Sequence, residues 1–84
     1  MNAPRFFSND QHANTWRDVM SSIEEAATIN NVIEGRGRAE GYALGLFESG
    51  SITDPQRREL AVQAFQSAFQ RAQNLHGAVK PWRS

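Results

Sequence analysis

Cysteine is absent from this 84-residue chain, which excludes a disulfide framework and a thiolate metal site. Packing or self-association must then hold the fold together. The lack of thiols also fits a reducing cytoplasm, the location expected from the sequence. No apolar run approaches the roughly 20 residues of a membrane span. The start Met1-Asn2-Ala3-Pro4-Arg5 carries no apolar stretch of the signal-peptide kind, so neither a membrane nor export is expected. Charge of a single sign is missing as well. Nine basic and nine acidic residues cancel, which removes the long-range field that draws proteins to nucleic acid or anionic lipid. Histidine is scarce: His12 and His76 are far apart in the chain, with no acidic residues at ligand spacing. No metal and no cofactor are therefore expected.

What is present is enough to fold. A hydrophobic fraction of 39%, with five Phe and two Trp, is too high for a chain that stays unfolded throughout. The length supports one core and one domain. The expected class is all-α: a small three-helix bundle, in which a hairpin of helices two and three is joined by an N-terminal helix and self-association is a natural way to complete it. The chain divides into an N-terminal arm over 1–14, a helical domain over 15–77 and a short basic tail over 78–84. Helices are expected near 15–30, 36–49 and 54–76.

Each assignment has a local reason. Thr15 followed by Asp18 resembles a capping box. Trp16, Val19, Met20, Ile23 and Ala27 then fall on one helical stripe, the expected core face. Asn30 and Asn31 are poor helix formers and mark a break. In the second segment, Ala39, Tyr42, Ala43, Leu46 and Phe47 keep helical spacing in spite of interior glycines. Gly37, Gly41 and Gly45 recur every four residues, which reads either as a smooth strip for close packing against another helix or as a flexible connection; whether 31–38 is helix or loop stays open. The boundary at Gly50-Ser51-Ile52-Thr53-Asp54-Pro55 is the clearest local signal, with glycine ending one helix and Thr53 or Asp54 capping the next ahead of Pro55.

The third helix is the most informative element. Leu60, Ala61, Ala64, Phe65, Ala68, Phe69, Ala72 and Leu75 fill a sector of about half its circumference, and Gln63, Gln66, Gln70 and Gln73 occupy the other side. So broad a sector exceeds what one neighbouring helix covers, which suggests packing against two helices or a second copy. Phe65 and Phe69 are expected on a buried face. A long helix that opens on Asp54-Pro55 does not suit the short, exposed reading helix of a helix-turn-helix.

The catalytic inventory is thin. Glu24 and Glu25 diverge on a helix and do not pair as acid and base. Gly35-Arg36-Gly37-Arg38 lacks both the Lys-Ser/Thr ending and the preceding strand of a phosphate loop. The sequence thus favours a non-enzymatic protein-binding module: a regulator, inhibitor or accessory subunit of a larger protein, with a homodimer as a natural form. The candidate contact residues are Phe6, Phe7, Arg36, Arg38, Tyr42, Arg57, Arg58 and Trp82, because aromatics and Arg carry most interface energy. Phe6 and Phe7 dock either on the domain's own core or on a partner. The competing reading is a dimeric nucleic-acid-binding regulator that gathers Arg36, Arg38, Arg57 and Arg58 near the turn, unless Glu34, Glu40, Asp54 and Glu59 neutralise them.

Overall fold

The computed structural model describes residues 7–78. It contains three helices, α1 (Asp10–Glu24), α2 (Ile29–Glu48) and α3 (Asp54–Ala78), and each packs against the other two. The all-α three-helix bundle expected from the sequence is the observed fold.

Local chemistry explains the boundaries, and three of them move from their expected places. α1 starts at Asp10 and not near Thr15, because the Asn9 side chain accepts hydrogen bonds from the backbone N–H groups of Gln11 and His12 at 2.8 and 3.1 Å. Residues 10–14, expected in the arm, are therefore the first turns of a helix. α1 ends at Glu24, and Ala26 turns into the core while Ala27 is exposed, the reverse of the expected stripe. α2 then begins at Ile29, because the Thr28 hydroxyl accepts from the Asn31 N–H at 3.0 Å. Asn30 and Asn31 thus lie in a first turn, where weak helix formers are tolerated, and 31–38 is helix.

Gly50 closes α2 with a φ of 80°. The N–H of Ser51 reaches the carbonyl of Leu46 at 2.8 Å and that of Gly50 reaches Phe47 at 3.0 Å, the paired bonds of a Schellman ending. Buried Ile52 follows and pins the turn. Thr53 is the cap of α3: its hydroxyl accepts from the Gln56 N–H at 3.3 Å while the Gln56 side chain accepts from the Thr53 N–H at 2.9 Å. This reciprocal pair is a capping box, with Pro55 in the first turn where its missing N–H costs nothing.

The core is apolar throughout; among the described residues no polar or charged side chain is buried. Its bulk comes from α1, whose Trp16, Met20 and Ile23 are 0–2% exposed. The inward positions of α2 and α3 are mostly small, namely Ala39, Ala43, Ala64 and Ala68. Close approach of α1 to α2 occurs at Gly35, where a Cβ would lie 2.9 Å from Cγ1 of Ile23. Two polar contacts fix α1 and the turn after it against α3. The Trp16 indole N–H donates to Oε1 of Gln63 at 3.3 Å, and Arg71 Nε donates to the carbonyl of Ala26 at 2.8 Å. Among the described residues, no helix is long and apolar enough to cross a membrane.

Candidate interaction face

The hairpin of α2 and α3 has two broad sides, and α1 occupies one of them. Advancing about 100° per residue, Gly35 on α2 and Gln63 on α3 point to the α1 side, in keeping with their contacts to Ile23 and Trp16. Among the described residues, no helix lies over the opposite side. Every large exposed hydrophobic among the described residues belongs to α2 or α3 and none to α1: Ile29, Ile33, Leu44, Phe47, Val62, Phe65 and Phe69. Ile33 is 63% exposed, Phe65 48% and Phe69 55%.

Three of these residues, Ile33, Phe65 and Phe69, meet at one groove. A shallow groove of roughly 200 Å³ runs between the two helices, lined by Ile33, Arg36, Phe65, Ala68, Phe69 and Ala72. The Phe65 and Phe69 rings stack with centroids 6.1 Å apart and planes 16° from parallel, making a ridge beside the groove. The Arg36 guanidinium lies 5.0 Å from the Phe65 centroid and is also held by Glu40 at 3.0 Å. The expected burial of Phe65 and Phe69 is therefore corrected. They belong to the broad apolar sector of α3, but α1 and α2 cover only its other edge, around Leu60, Ala64 and Ala68.

The arginines do not gather into one patch. Arg36 lies in the groove on the open face, whereas Arg38 lines a hollow on the α1 side with Ser22, Glu25 and Glu34. Arg57 and Arg58 both close on the Asp54 carboxylate, at 2.7 and 2.6 Å, and Arg57 also lies 5.6 Å from the Phe47 centroid. Hydrogen bonds from Arg57 first, and then Arg58, hold the Asp54 carboxyl below its ordinary value. Of the remaining candidate contact residues, Phe7 and Tyr42 are half-buried and pack against the core cluster. Phe6 and Trp82 lie outside the described residues.

Among the described residues, no heavy atom lies within 4 Å of where a Cβ would stand at Gly37, Gly41 and Gly45, so the glycine strip packs against none of them. Among the described residues, no three His, Cys, Asp or Glu side chains come together. Comparison with known proteins gives no match: no family model, no curated protein and no solved structure is significantly similar to the chain.

Ile33, Phe65 and Phe69 are absent from the expected contact residues: Phe65 and Phe69 are expected on a buried face, and Ile33 falls at the expected break between helices. The signal that pointed to Phe65 and Phe69 was the width of the α3 sector, greater than one helix can cover.

Proposed function

We propose that this protein is a non-enzymatic binding module, a regulator, inhibitor or accessory subunit of a larger protein, that acts through the open face of α2 and α3. The carrying observation is that, among the described residues, all the large exposed hydrophobics lie on that hairpin and none on α1. Single exposed apolar residues are ordinary, but a contiguous patch of several hundred Å² marks an interaction site. Stacked Phe65 and Phe69 with Arg36 over one ring provide the residue types that dominate interface energies. A purely apolar core and shallow grooves favour a binding surface over a reaction site, because catalysis needs titratable groups converging in a concave pocket. The pairing of Arg36, Arg57 and Arg58 with carboxylates on their own helices favours a protein partner over nucleic acid.

Quantitative affinity capture from the native cell tests this reading, comparing the tagged protein with its Phe65→Ser/Phe69→Ser variant. A protein enriched by the wild type should fall about tenfold or more with the variant, the equivalent of about 1.4 kcal/mol. Equal recovery with both baits contradicts the proposal.

A further inference from the structure

We infer that the open face of α2 and α3 is a dimerisation surface, occupied by the same face of a second copy of this chain. The inference rests on the proposed function only in reading this face as protein-binding; it assigns the face to a second copy, so a larger protein would gain it by displacing that copy.

Four observations select a second copy. The first is spacing: Val62, Phe65, Phe69 and Ala72 follow one another at intervals of three, four and three residues, the a/d spacing of helices that pack along their length. This seam is separate from the inward positions Leu60, Ala64 and Ala68, so α3 offers one apolar edge to its own bundle and another to a further helix. The second is charge. The groove's one charged residue, Arg36, is already paired with Glu40, and the whole chain has a net charge of zero. Nothing on the face selects an oppositely charged partner, and nothing repels a like copy.

The third observation is area. The exposed parts of Ile29, Ile33, Val62, Phe65 and Phe69 offer on the order of 500 Å² of apolar surface, a large share of the roughly 800 Å² that one side of a standard interface buries. The fourth is shape. The face carries both a ridge, Phe65 and Phe69, and a groove against Ile33 and Ala72. A two-fold rotation sets the ridge of each copy toward the groove of the other, as an isologous contact requires. Two hairpins joined this way make a four-helix layer with one α1 on each outer side.

Sedimentation velocity and native mass spectrometry of the full chain, up to roughly 0.2 mM, read the result directly. The wild type should run at twice the mass of the chain. Phe65→Glu/Phe69→Glu should run at the single mass while keeping its helical circular dichroism, and Asp18→Lys on the outside of α1 should remain at twice the mass. A second measurement decides the matter should the double variant fail to fold. Because the chain has no cysteine, Val62→Cys in the seam and Arg17→Cys on α1 each supply a single thiol. Under mild oxidation the first should form a covalent dimer at least tenfold faster than the second. A monomeric wild type, or equal rates for the two thiols, overturns the inference, whether the face is then covered by the chain's own ends or by a different protein. A monomer that still captures another protein through Phe65 and Phe69 leaves the binding-module reading standing. A dimer that captures none supports this inference and counts against that reading.

Discussion

The two sides of the α2–α3 hairpin are built from the same helices and differ in where their bulk comes from. On the covered side, the hairpin presents Gly35 and small alanines, and α1 supplies Trp16, Met20 and Ile23 to fill the space. On the open side, the hairpin itself carries Ile33, Phe65 and Phe69, which stand out from the surface without a covering helix. Large residues need an opposing surface to bury against, and small residues accept one. The covered side is a completed core, and the open side leaves its large residues exposed, as the proposed interface requires.

Substitutions on the two sides should separate them, and the largest effect is expected at the covered one. Trp16→Ala removes the largest fully buried side chain and its bond to Gln63. It should cost about 3–5 kcal/mol in urea unfolding at every protein concentration. Phe65→Ala should cost under about 1 kcal/mol in dilute solution, with a loss that grows as concentration rises, because its partner is another molecule. Equal, concentration-independent losses at both positions would remove the distinction between the sides.

Glycines offer a smaller version of the same contrast. Gly50→Ala places a side chain at a φ of 80° and should lower stability by about 1–2 kcal/mol. Within α2, Gly35→Ala would set a Cβ 2.9 Å from Ile23, so the gain in helix propensity is offset by a forced shift of α1 and the thermal midpoint should fall. Gly37→Ala meets open space and should raise stability by about 0.5–1 kcal/mol. A thermal midpoint that rises equally for both would mean that α1 does not press on Gly35.

The smallest effect concerns acid. The Asp54 carboxyl titrates below its unfolded value of about 4 because Arg57 and Arg58 bond its charged form. A carboxyl depressed in the folded state adds stability that is present above the unfolded value and lost as pH falls through the folded one. The stability advantage of wild type over Asp54→Asn should therefore shrink steadily below about pH 4. Partial exposure of the pair keeps that advantage small. A constant difference between pH 7 and pH 2 would show that the arginines do not act through this carboxylate.

The helix count and the turn from Gly50 to Pro55 are legible in the sequence because glycine, the capping pair Thr53 and Gln56, and proline act over a few residues. The start of α1 is not. Between Asn9 and Trp16 only Ala13 is apolar, so periodicity carries no signal there, and Asn9 captures the cap that Thr15 resembles. Helix through Gly35 and Gly37 depends on tertiary packing at Gly35, which propensity does not contain. The interaction face was half visible. The sequence shows that the apolar sector of α3 is wide, but which edge α1 and α2 cover follows from the three-dimensional placement of the helices. Arg36 and Arg38, two residues apart, lie on opposite sides of the hairpin because two helical steps turn the chain by about 200°.

The most direct test of the account is the thermal midpoint of unfolding measured against protein concentration, for the wild type and for Phe65→Ser/Phe69→Ser. Self-association through the open face predicts that the wild-type midpoint climbs over a hundredfold rise in concentration, while that of the variant stays flat. A wild-type midpoint that does not move, or a variant that climbs in parallel with it, would contradict the claim that Phe65 and Phe69 form half of an interface.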